Sequence, residues 1–123
     1  MKVGIILSNL GTRTRATRDN ILQTAIQAEK EGFDSVWTIM RILWPLKPSP
    51  YPASPDGLLP VEYQTAFDPL DVLAYVPGNT SKISLGTSIV NMFYYTPIML
   101  AKSYATLDVI TRKGNSWPRT WVV

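Results

Sequence analysis

The chain has no cysteine and no histidine. The first absence excludes disulfides, thiolate catalysis and zinc–thiolate sites. The second removes the commonest general base, the usual partner of a nucleophilic serine and the commonest metal ligand. No metal site is expected, and any chemistry must rest on carboxylates, hydroxyls, arginines or a bound cofactor. Long apolar runs are also missing. None approaches the roughly 18 residues of a membrane helix, so no membrane partner is expected. The apolar stretch in residues 1–8 is too short for a signal peptide and has no small-residue cleavage site, which leaves a cytoplasmic location as the expectation. Strong charge is lacking too. Twelve Lys and Arg stand against nine Asp and Glu, for a net charge of +3. The basic residues are scattered rather than gathered on one face, so no nucleic-acid partner is expected.

What remains is an ordinary globular composition, 46% hydrophobic and 17% charged over 123 residues, the length of a single domain. Val3 to Ser8 is a β-branched apolar run suited to a strand buried on both faces. Thr17 or Asp19 then caps a helix with Ile21, Leu22, Ala25, Ile26 and Ala28 on one stripe. Glu29, Lys30 and Glu31 form its solvated end. Gly32 is placed for a left-handed residue after the helix, with Phe33 folding back. Ser35 to Ile39 is a second strand. Met40 to Phe67 then holds six of the ten prolines, so it is neither a helix interior nor a central strand. A connection this long is usually functional or mobile. Asp68-Pro69 starts a second helix with Leu70, Leu73 and Ala74 inward, and Pro77-Gly78 ends it. Ile83 to Val90 is a third strand. Thr96-Pro97 starts a third helix with Leu100, Tyr104, Leu107 and Ile110 inward. Alternating strands and helices imply parallel, right-handed crossovers and an α/β fold.

Several of these segments resemble the bacterial-luciferase-like flavin monooxygenase superfamily, which includes the coenzyme F420-dependent oxidoreductases. They are Ala28-Glu-Lys-Glu-Gly-Phe-Asp-Ser-Val-Trp37, Ile83-Ser-Leu-Gly-Thr-Ser-Ile89, and Pro97-Ile-Met-Leu-Ala-Lys102 with Ala105-Thr-Leu-Asp-Val109. The proline segment, Trp44 to Gly57, is most similar to the F420 branch. The resemblance covers residues 1 to 112 and implies the first three βα units of a TIM (β/α)8 barrel, truncated. It implies a reduced flavin (FMN) or coenzyme F420 as cofactor, bound at the carboxy ends of the strands. By position it implies a cofactor-lining role for Ser8, Met40, Arg41, Thr87, Ser88 and Asn91, with a backbone bulge at Ser88-Ile89. Catalytic residues and the small-molecule substrate are not identified by it.

Other residues have weaker readings. Trp37 and Trp44 suit packing or stacking. Glu62 is the carboxylate of the proline segment to test as an acid or base. Pro45-Leu-Lys-Pro48 and Pro52-Ala-Ser-Pro55 fit a PxxP pattern.

Residues 113 to 123 depart from the family pattern, which continues with a glycine-rich fourth strand. Starting from the second base of the Arg112 codon, taken as CGN, the genetic code forces glycine at Trp117 and at Trp121. The other shifted codons permit the expected residues. The tail is therefore either the product of a one-nucleotide frameshift near Arg112 or a genuine divergent end. A complete barrel takes about 250 residues and builds its phosphate site near the seventh and eighth strands. The expected function is thus a truncated oxidoreductase, weak or inactive alone, or a non-enzymatic interaction module. Open sheet edges and uncovered helix faces predict a homo-oligomer, most simply a dimer, with Trp117 and Trp121 covering apolar surface.

Overall fold

The computed structural model describes residues 1–11 and 16–111, together with the backbone of residues 120–122. Its elements run β1 (Gly4–Ile6), α1 (Arg18–Lys30), β2 (Ser35–Ile39), α2 (Pro69–Tyr75), β3 (Ser84–Ile89), α3 (Pro97–Thr111) and β4 (Thr120–Val122). The strands form one parallel sheet in the order β1-β2-β3-β4. Every crossover that links neighbouring strands passes through a helix, as parallel pairing requires.

Local chemistry sets the helix ends. Thr17 caps α1, its hydroxyl accepting from the Asn20 amide at 3.2 Å. At the other end Gly32 takes φ +83°. The Phe33 amide donates to the Ala28 carbonyl at 2.9 Å and the Gly32 amide to the Glu29 carbonyl at 3.1 Å. These two bonds satisfy carbonyls that the helix leaves over, and Phe33 packs back onto the core. Asp68 caps α2, taking the amides of Leu70 at 2.8 Å and Asp71 at 3.2 Å, with Pro69 at the first helical position.

Strand alternation divides the sheet into two unlike faces. Val36, Thr38, Leu85 and Thr87 are buried beneath the helices, with Leu7 continuing β1 on the same side. They pack with Ile21, Ala25 and Ala28 of α1, Val72 and Leu73 of α2, and Leu100 and Leu107 of α3. Gly4, Ile6, Trp37 and Gly86 lie on the opposite face, and register places Ile6 beside Trp37 and Trp37 beside Gly86. The Trp37 indole lies flat across three strands there. A Cβ at Gly86 would stand 2.5 Å from its Cε3, and a Cβ at Gly4 2.5 Å from its Nε1. The indole N–H donates to the Ser35 hydroxyl at 2.8 Å, fixing the ring. Both glycines are needed for close approach rather than for backbone freedom.

Four details differ from expectation. Ala74 is exposed, and Val72 and Val76 complete the inner face of α2 instead. Pro69, Val72, Leu73 and Val76 are buried at ordinary three-to-four helical spacing, so the inner stripe lies one position round from the one expected. Ile110 is exposed while Thr111 is buried, because α3 presents only a narrow side to the sheet. Glu29 is not a solvated end; its carboxylate is bonded to three amides before β3. Finally, the far edge of β3 is not open, since the backbone of residues 120–122 pairs with Leu85, Gly86 and Thr87. Trp117 lies outside the described residues.

Candidate site at the carboxy ends of the strands

Parallel pairing brings the ends of β1, β2 and β3 to one rim, and the residues that follow them build it. Ser8 is exposed after β1 and lines a cleft of about 260 Å³ with Ile6, Leu10, Ile39, Glu62 and Tyr63. Met40 follows β2, and its thioether accepts the Asn91 amide at 3.2 Å, which ties the end of β2 to the end of β3. The Asn91 side chain accepts the Phe93 amide at 3.2 Å and caps a short turn. Arg41 lies with its guanidinium carbon 5.4 Å from the centre of the Tyr63 ring, within reach of a cation–π attraction. Its Nε–H is buried with no hydrogen-bond partner among the described residues.

The bulge expected at Ser88-Ile89 is present. Thr38 pairs with Thr87 and Ile39 with Ile89, so Ser88 is the extra residue. Such an insertion re-aims side chains at a sheet end. No non-glycine residue among those described has a positive φ, so the bulge is met without left-handed strain.

Thr87 does not line the rim. Strand parity turns it to the helix side, where it is fully buried and its hydroxyl shares a 2.6 Å hydrogen bond with the Tyr104 phenol. The structure thus brings Ser8, Met40, Arg41, Ser88 and Asn91 to the rim and leaves Thr87 behind it. Trp37 lies on the sheet face described above, below the strand ends.

The residue that organises the rim is one the sequence did not single out. Asn9 is completely buried. Its Nδ2 donates to the carbonyls of Ile39 at 2.7 Å and Phe67 at 3.1 Å, and its Oδ1 accepts the Ile39 amide at 3.1 Å. The Phe67 amide returns to the Asn9 carbonyl at 2.9 Å and the Gly11 amide reaches the Thr65 carbonyl at 2.8 Å. The proline segment therefore leaves and rejoins the sheet at the same amide. Its signal was only a polar residue directly after an apolar strand. Tyr51 and Tyr63 also went unmarked; their rings stand 6.0 Å apart within that segment.

Three phenols at and behind the rim hold their protons more tightly than a free tyrosine. The Tyr63 pKa is raised, first by its hydrogen bond with Tyr51 and then by burial, against the opposing charge of Arg41. Tyr95 donates to the Asp68 carboxylate at 3.1 Å. Burial and that carboxylate push it up to about 12. Tyr104 is raised chiefly by burial, with its Thr87 hydrogen bond working the other way. Glu62 is the carboxylate in the cleft wall. Among the described residues no three His, Cys, Asp or Glu gather as a metal site, and no helix is long and apolar enough to cross a membrane.

A parallel sheet with all its helices on one face, and its polar groups at the carboxy rim, is the architecture of part of a (β/α) barrel. The family model for luciferase-like monooxygenases matches residues 1–112. The chain belongs to that family. Among solved structures, monooxygenase RslO1 from Streptomyces bottropensis matches with a TM-score of 0.68 and 23% identity over 99% of this chain and 32% of its own. The coenzyme F420-dependent tetrahydromethanopterin reductase from Methanopyrus kandleri matches with a TM-score of 0.64 and 24% identity, over 98% of this chain and 26% of its own. The chain thus spans a third or less of the length of these neighbours, and the likeness to them is one of fold. No curated protein sequence matches the chain.

Proposed function

We propose that this chain carries one side of the cofactor site of a luciferase-like oxidoreductase, with FMN or coenzyme F420 as the cofactor. A reduced flavin or deazaflavin supplies the hydride or electron pair in such chemistry. The part of these residues is to bind and orient the ring. Ser8, Ser88 and the Asn91 side chain offer polar groups at the rim, and Met40 holds the ends of β2 and β3 together. Thr87 acts from behind through Tyr104. The observation that carries the reading is the Arg41 Nε–H. A buried donor without an acceptor costs about 1–3 kcal/mol, and an acceptor oxygen on a bound ring is a partner of the right chemistry. Turnover by the chain alone is weak or absent in this reading, because it provides so small a share of the fold.

Titration with oxidised F420 and with FMN tests this, followed by absorbance and by quenching of cofactor and tryptophan fluorescence. Binding in the micromolar range that weakens at least several-fold in Arg41→Met supports it. No quenching by either cofactor with the folded chain overturns it.

A second reading has its own observation. α3 leaves Ile98 79% and Val109 67% exposed, and Phe93 just before it is 99% exposed. A helix apolar on its outer side is usually covered. We propose that two copies associate through this side in a cytoplasmic setting, as a non-enzymatic module or to complete a composite site. Light scattering that gives a monomer mass at micromolar concentration counts against it. The tail from residue 113 is read as a frameshift product. Sequencing the gene beyond Arg112 tests that, and a shifted frame without further barrel strands sinks it.

A further inference from the structure

At the opposite, amino-terminal rim, Glu29 occupies the last turn of α1, where the negative end of the helix dipole disfavours a carboxylate. Its position has a specific compensation. Glu29 Oε1 accepts the amides of Ser81 at 2.8 Å and Ile83 at 2.9 Å, and that of Lys82 between them; Oε2 also accepts from Ser81 at 3.0 Å. Three successive N–H groups converging on one oxygen make a concave anion nest from backbone alone. The nest borders a cavity of about 600 Å³ whose wall includes Lys2, Trp37 and Lys82. The other carboxylate on that wall, Asp34, is engaged by the Val3 amide at 2.7 Å.

We infer that the Ser81–Ile83 turn is an oxyanion-binding site whose resident ligand is Glu29, and that an external carboxylate or phosphate takes the same place when Glu29 is withdrawn. The three donors are fixed by the start of β3, so the receptor persists without its internal occupant. Lys2 and Lys82 add attraction for an anion entering from the cavity. Glu29, tethered to α1, outcompetes free anions in the native chain, so α1 and β3 are joined by an exchangeable contact.

The test compares the native chain with Glu29→Ala by thermal melting in acetate, inorganic phosphate and chloride at matched ionic strength. The variant melts lower in chloride. Acetate or phosphate restores at least half of the lost melting temperature in a saturable way, and shifts the amide resonances of Ser81, Lys82 and Ile83. The native chain responds to each salt alike, apart from general salt effects. Recovery by acetate but not phosphate limits the site to carboxylates and still supports it. A variant that responds no more than the native chain, or whose three amides stay in place, overturns the inference. Should Glu29→Ala not fold, a pH titration of the native chain decides. The three amide resonances must then move in concert with the Glu29 carboxyl carbon, and independent movement refutes the site.

Discussion

Adding one methyl group at Gly86 separates close packing from ordinary strand preference. Alanine in a strand interior is normally favoured over glycine by about 0.5–1 kcal/mol, through the entropy of the unfolded chain. Here the new Cβ would meet Trp37 at 2.5, 2.6 and 2.9 Å, all within the distance real Cβ atoms avoid. The indole has little room to withdraw. Its N–H is held by Ser35 at 2.8 Å, and its far edge presses on Gly4. Overpacking of this kind costs about 1–3 kcal/mol, so Gly86→Ala is expected to destabilise although propensity says the reverse. With a urea slope of about 2 kcal/mol per molar, the midpoint should fall by about 1 M, read by far-UV circular dichroism. In Trp37→Val the obstruction is gone, and Gly86→Ala added to it should be neutral or stabilising. The coupling in that cycle should fall in the range of about 0.5–3 kcal/mol found for touching residues. A Gly86→Ala chain as stable as the parent, or a cycle with no coupling, refutes the flat placement of the indole.

Three further outcomes are expected. Asn9→Ala orphans the Ile39 amide and two carbonyls, and should cost about 2–4 kcal/mol in urea unfolding while loosening proteolytic protection of the proline segment more than that of α1. Gly32→Ala, at φ +83°, should cost about 1–2 kcal/mol, and a neutral result would deny the left-handed helix end. The third concerns pH. Tyr95 is raised from 10.0 to about 12 in the folded chain, so its contribution to stability is complete below pH 10 and is lost as pH climbs through 12. Urea midpoints taken across that window should fall in the parent and fall less in Tyr95→Phe; equal slopes would remove the Asp68–Tyr95 contact from the account.

The order of strands and helices was legible because its signals are local. The Thr17 and Asp68 caps, the proline that follows Asp68, Gly32 and the apolar stripe of α1 each act within a turn or two of chain. Contacts made across the sequence were not legible. Glu29 reads as a wet helix end until the amides of residues 81–83 are known to face it. Asn9 reads as the start of a loop, although it meets chain 30 and 58 residues away. The rim was half legible for the same reason. Position after a strand puts Ser8, Met40, Arg41, Ser88 and Asn91 near the strand ends, where contact with a cofactor is a proposal. Thr87 failed because parity decides its face, and the bulge that resets parity begins one residue later. The pairing of residues 120–122 beside β3 went unread because the tail departs from the family's glycine-rich fourth strand, although Thr120, Trp121 and Val122 are residue types that favour strands. Backbone hydrogen bonding asks little of side-chain identity.

Because Asn9 grips both the departure point at Ile39 and the return point at Phe67, the sheet is insulated from whatever lies between them. Loop-closure entropy grows only logarithmically, about 0.6 kcal/mol for each doubling of length. Residues from Ile42 to Gln64, between the Met40 contact to Asn91 and the Thr65 contact to Gly11, can therefore be lengthened, shortened or rewritten at small thermodynamic cost while the strand ends keep their places. That makes the proline segment the region in which ligand preference could diversify within this architecture without the strands being remade.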